Sequence, residues 1–143
     1  MDKLSDNVWK IHGLSNCYLL DLGEWVLIDT GAEQEKAAIK EQIESVISVD
    51  KITKVLLTHL HYDHIGNWKM FTHAKFYAHP DAIDALAENK FGAILDEETA
   101  TSFQAPLEPL KDMLGLQVIL TPGHTKGIIC LYYKEKKILF SGD

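Results

Sequence analysis

Short apolar runs mark the first third of the chain. Val8–Ile11, Cys17–Asp21 and Trp25–Ile28 are separated by Gly13, Gly23 and Gly31. Apolar runs of this length, bounded by turn-forming residues, predict strands. Asp29-Thr30-Gly31 then breaks the third run. Between positions 33 and 48 the rhythm changes: Ala37, Ile39, Ile43, Val46 and Ile47 recur at helical spacing on a charged background. A buried strand is predicted over 54–58 (K-V-L-L-T), and another over 74–78, stopped by His79-Pro80. Positions 81–88 (D-A-I-D-A-L-A-E) have a helix-former composition, with Asp81 available to cap them. The pattern weakens over 89–114, where a helix is expected at 96–102 and Pro106 and Pro109 interrupt the stretch beyond it. A strand at Leu116–Leu120 leads into the turn T-P-G-H-T-K-G, and runs at 128–133 and 137–140 flank Lys-Glu-Lys as a hairpin. Helices fall between strands, so the class is mixed α/β. No repeat, low-complexity segment or linker divides the chain, and residues 1–143 are read as a single domain.

Composition narrows the function. The chain has 143 residues with 46% hydrophobic side chains, enough for a packed core. It carries 14 basic against 21 acidic residues, a net charge of −7, with no basic stripe. That disfavours a nucleic-acid partner, whose phosphates demand positive charge; the acidic balance itself identifies no partner, and a small-molecule substrate is expected. No apolar stretch approaches bilayer length, and the polar start M-D-K-L-S-D-N lacks the apolar core of a secretory signal. A cytoplasmic location without membrane contact is expected. The two cysteines, Cys17 and Cys130, both sit in apolar runs and read as free and buried.

The chemistry is concentrated at the end of the 54–58 strand. T-H-L-H-Y-D-H-I-G places His59, His61, Asp63 and His64 within six positions, in a chain with only 7 histidines. Side chains two apart on an extended segment point the same way, so His59 and His61 can face one point. A turn would bring Asp63 and His64 to an adjacent one. Imidazole with carboxylate suits zinc, and also iron or manganese. His124, in the Pro-Gly turn, is a further imidazole at a strand end, and Asp143 follows the last strand. Three strand ends carrying donors suggest one rim of a sheet scaffold. Lys126 could meet a carboxylate or phosphate, Tyr62 could touch substrate or pack, and His79 reads as a packed or capping residue.

T-H-L-H-Y-D-H-I-G-N, T-P-G-H-T-K-G and F-S-G-D, with L-I-D-T-G at 27–31 and S-N-C-Y-L-L near the start, together resemble the metallo-β-lactamase superfamily, most closely its glyoxalase II-like branch. The resemblance covers the whole chain and implies an αββα sandwich with metals at one edge. It implies that His59, His61 and His124 hold a first metal, that Asp63 and His64 belong to a second, and that Asp143 bridges them. Asp29 would support a metal-binding histidine from behind. One or two zinc ions would be bound, and a metal-activated hydroxide would attack a thioester, lactone or related ester, with Asp63 orienting it. A mononuclear iron, persulfide dioxygenase-like oxidoreductase using His59, His124 and Asp143 is the alternative, and a non-catalytic metal-binding fragment a third reading. The family supplies one more histidine after the bridging Asp. The chain is therefore expected to be a C-terminally truncated or cleaved domain with an incomplete second sheet, whose unpaired edge invites a homodimer.

Overall fold

The computed structural model describes residues 1–143. Its first seven strands form one sheet in chain order: β1 (Asp2–Ser5), β2 (Val8–Ile11), β3 (Cys17–Asp21), β4 (Trp25–Ile28), β5 (Ile52–Leu56), β6 (Lys75–Ala78) and β7 (Leu107–Pro109). The pairs from β1 to β4 are antiparallel and those from β4 to β7 parallel. The change follows from the connections. Tight turns join the early strands, whereas crossovers carry α1 (Lys36–Glu44), α2 (Tyr62–Ile65), and then α3 (Pro80–Glu88), α4 (Lys90–Ile94) and α5 (Glu97–Ser102). A second sheet orders β8 (Leu116–Leu120), β9 (Ile129–Tyr133) and β10 (Ile138–Phe140) antiparallel, with β9 in the middle.

Both faces of the large sheet are buried. On β4 and β5, Leu27 and Val55 join a core with Ile39 and Ile43 of α1 and Ile94 of α4. Their neighbours Ile28 and Leu56 face the other way, against Ile129, Leu131 and Phe140 of the small sheet. Period-2 alternation thus yields near-continuous apolar runs, because each face meets its own layer. The result is a helix–sheet–sheet stack, and no helix is long and apolar enough to cross a membrane.

All eight expected strands match observed elements to within two residues. Several details differ. Strands β1 and β7 were not expected: β1 is exposed and polar, and β7 contains Pro109, so neither shows an apolar run. The expected 33–48 helix is a 3-10 turn at Glu33–Glu35 followed by α1, which stops at Glu44. Asp81 does not cap α3. His79 does, its Nδ1 accepting the Asp81 amide, with Pro80 in the first turn where a missing N–H costs nothing. Cys17 is free and buried, but Cys130 is only half-buried, because it faces outward on β9.

Candidate metal centre

Strand β5 ends at Leu56, two residues before the expected boundary, so the donor-bearing segment is a post-strand loop. His59 and His61 lie on it, and Asp63 and His64 lie on α2. The loop is clamped by the Asp29-Thr30-Gly31 turn. Thr30 N–H donates to His64 O at 2.7 Å, and Gly66 N–H donates to Gly31 O at 2.8 Å. Asn67 Nδ2 donates to Thr30 O and Ala32 O at 2.8 and 3.0 Å. A Cβ at Gly66 would collide with the Glu33 amide and the Gly31 carbonyl, so only glycine lets the two segments close.

Asp29 is the hub behind the site. It is almost wholly buried and adopts a left-handed φ of 61°, a conformation Asp tolerates better than most residues. Its Oδ1 accepts the Thr58 amide at 2.8 Å. Its Oδ2 accepts the Thr58 hydroxyl at 2.7 Å and His64 Nδ1 at 2.8 Å. A carboxylate only accepts, so His64 keeps a proton on Nδ1, and Nε2 is a lone pair whenever the ring is neutral. The Thr58 hydroxyl spends its own proton on Asp29, so at 3.1 Å it accepts from His59 Nδ1, which frees His59 Nε2 in the same way. Both Nε2 atoms are buried with no hydrogen-bond partner. Two bare lone pairs in a buried, polar pocket are costly unless something electropositive fills the gap.

The small sheet completes the arrangement. Ile129 N–H donates to Thr58 O at 3.0 Å, tying β9 to the loop. Gly142, at φ 71°, lets the chain pass so close to Thr58 that a Cβ would sit 2.9 Å from the threonine Cβ. Asp143 and His124 thereby reach the histidines. Donor atoms of His59, His61, His124 and Asp143 all lie within 4.8 Å of one another. Asp143 Oδ2 stands 2.7 Å from His124 Nε2 and 3.9 Å from His59 Nε2. Asp63 and His64 form an adjoining pair, Oδ2 to Nε2 at 3.8 Å, with the His64 ring 4.0 Å from that of His59. The converging donor set and the bare Nε2 atoms fit a divalent metal ion held by His59, His61, His124 and Asp143.

Electrostatics suit the same use. Burial, reinforced by the neighbouring His64, pushes His59 down to about 3, and burial and His124 lower His61. Both rings stay neutral, as a metal donor must. His64 differs: burial disfavours its charged form, but the charge and hydrogen bond of Asp29 outweigh it and hold His64 above its ordinary range, so an ion at its Nε2 would take the place of a proton. Burial raises Asp63, yet the Ser15 hydroxyl, donating to Oδ2 at 2.7 Å, and the nearby His64 together bring it below the usual carboxylate range.

The structure brings the expected residues His59, His61, His124 and Asp143 together, with Asp63 and His64 adjoining, while Thr58, Ser15 and Asn67 had no expected role. Thr58 opens the histidine motif, which is the one signal that could have marked it. Ser15 and Asn67 stand at the ends of two of the quoted motifs, but their partners are distant along the chain, so no local spacing gives them a role. Tyr62 is 41% exposed and does not pack in the core. Lys126 lines a cavity beside His124.

The fold and this edge of converging imidazoles define a metal-binding α/β sandwich. A family model described as the metallo-beta-lactamase superfamily matches residues 12–143, and the chain belongs to that superfamily. It is similar to a protein of Methanocaldococcus jannaschii named as a probable metallo-hydrolase, at 36% identity over 111 residues, 77% of this chain and 47% of the relative. A hydroxyacylglutathione hydrolase of Bartonella tribocorum is 35% identical over 88 residues, 54% of this chain and 35% of that protein, so the glyoxalase II-like relationship covers part of the chain. Among solved structures, a subclass B3 metallo-beta-lactamase of Bradyrhizobium japonicum superposes with a TM-score of 0.71 at 24% identity, over 91% of this chain and 55% of that one. The chain spans about half the length of the curated relatives it matches.

Proposed function

We propose that the chain is the metal-holding portion of a zinc-dependent hydrolase acting on a thioester, lactone or related ester. The observation that carries this reading is the pair of buried, partnerless Nε2 atoms of His59 and His64 beside a converging His61, His124 and Asp143. A divalent ion there would lower the pKa of a water towards about 7 and draw charge from the substrate carbonyl. The protein's own groups do the rest. Asp63, steadied by Ser15 and 29% exposed at its side chain, is placed to take the proton of the attacking water and return it to the leaving thiol or alcohol. Water adds to the carbonyl carbon, the C–S or C–O bond breaks, and a carboxylic acid and a thiol or alcohol result. Asp29 and Thr58 keep the histidine tautomers fixed throughout, so no reorganisation is needed as charge develops. The hydroxyacylglutathione hydrolase relative supports this substrate class.

The test is elemental analysis of the purified chain, followed by thiol release from a simple acyl thioester with zinc-loaded and metal-free protein. Zinc-dependent thiol release, strongly reduced in Asp63→Asn with metal content unchanged, is the expected result. Bound zinc without turnover on thioesters, lactones or esters would leave a metal-binding segment only. Iron with oxygen uptake would replace the hydrolase by an oxidoreductase.

A further inference from the structure

A cavity of about 520 Å³ opens directly beside the metal centre, sharing His61 and His124 with it. Its other walls come from α3, α4 and the loop after His124. Ala82 and Ala85 sit three apart on α3, so they line one helix face, and Ala93 of α4 and Leu95 continue the apolar strip. The side chains are small where the space is, and that space lies within the usual range for a small-molecule site. The cavity is also preformed. Gly127 packs so close to the α3 backbone at Ala82 that any Cβ would collide with it, so α3 is seated against the His124 loop. Charge gives no reason to expect a polyanion, because Glu88 and Lys126 line the same space with opposite signs. Thr125 Oγ1 is buried without a partner next to His124, and Glu88, Asn89 and Lys126 add polar groups to the walls.

We infer that this cavity is the acyl pocket of the substrate, and that it takes a medium-length saturated chain. The chain lies against Ala85, Ala93 and Leu95, while its carbonyl end meets His61 and His124. The position of the carbonyl rests on the hydrolase reading above; the choice of an apolar chain rests on the cavity walls. With the acyl group in this cavity, lengthening it raises affinity. A buried methylene is worth about fourfold in affinity.

Calorimetric titration with butyrate and octanoate, on both metal-free and zinc-loaded protein, tests the pocket without requiring turnover. Octanoate is expected to bind at least roughly tenfold more tightly than butyrate in both forms, since only part of the added chain need be buried. Ala85→Phe, or Ala93→Phe as a second variant, should abolish that preference while leaving zinc content unchanged. Equal affinities for the two acids on the unmodified protein would overturn the pocket. A companion assay compares p-nitrophenyl butyrate with p-nitrophenyl octanoate on zinc-loaded protein. Cleavage of both without chain-length preference would remove the acyl pocket and leave the hydrolase. A clear octanoate preference in binding with neither ester cleaved would leave the pocket and remove the hydrolase.

Discussion

The two halves of the metal centre are built differently. His59 and His64 are buried, locked by Asp29 and Thr58, and set on a loop and the start of α2, which backbone hydrogen bonds pin to the Asp29-Thr30-Gly31 turn. His124 and Asp143 are 43% and 47% exposed at their side chains and hang from the ends of β8 and β10, in the other sheet. The first half is part of the core and is preorganised by it. The second half is a pair of side chains delivered by a docked sheet, and its main tie is to each other. Substitutions in the first half should therefore cost fold and metal together, while those in the second should cost metal alone.

Asp29→Ala is the strongest test of that contrast. It strands the Thr58 amide, the Thr58 hydroxyl and His64 Nδ1–H in the core, so a loss of about 3–5 kcal/mol is expected by denaturant titration. Metal affinity should fall about 10–100-fold in the same variant. Gly66→Ala should cost about 1–3 kcal/mol, since backbone rather than a flexible side chain fills the space. Ser15→Ala removes one hydrogen bond to Asp63 and should cost about 1 kcal/mol or less. His124→Ala is the counterpart in the exposed half. Thermal stability of the metal-free protein should stay within about 0.5 kcal/mol, as expected for an exposed side chain, while zinc binding is lost. Equal destabilisation by Asp29→Ala and His124→Ala would erase the distinction between the halves.

Acidity sharpens the same comparison. His59 is held near 3 in the folded chain, below its ordinary value of 6.5, because burial opposes its charge. The unfolded chain therefore binds the extra proton first. The stabilisation from keeping His59 neutral is complete above about 6.5 and is lost as pH falls towards 3. His64 works in the opposite sense: its raised value gives stability below the ordinary histidine range that is lost as pH rises through its folded value. Midpoints of the metal-free protein measured between pH 7 and 4 should fall more steeply for the parent than for His59→Gln, which cannot take up the proton.

Much of this was legible along the chain because it is local. The apolar runs of β2, β3 and β4 read correctly to the residue, since each is a short buried strand between turns. The six-position donor cluster was visible because its members are close along the chain, on one loop and the short helix that follows it. The elements that escaped, β1 and β7, are polar or proline-bearing sheet edges with no apolar run of their own. Of the two capping candidates for α3, His79 and Asp81, the ring of His79 accepts the first free amide and Asp81 does not cap.

What the residue order determined by itself was the inventory: strands from apolar runs, helices from periodicity, and a set of imidazoles and carboxylates suited to a divalent metal. What only the tertiary structure decided was which lone pairs are bare and which donors meet. The Asp29 carboxylate lies 35 residues from His64 and the Ser15 hydroxyl 48 residues from Asp63. Such contacts carry no short-range signal, since they are set by how parallel strands and a second sheet stack. Thr58 shows this most plainly. It is an ordinary strand-end threonine in sequence. In the fold it is the point where Asp29, His59, β9 and Gly142 converge, because packing two sheets on one buried strand leaves only one place for their ends to meet.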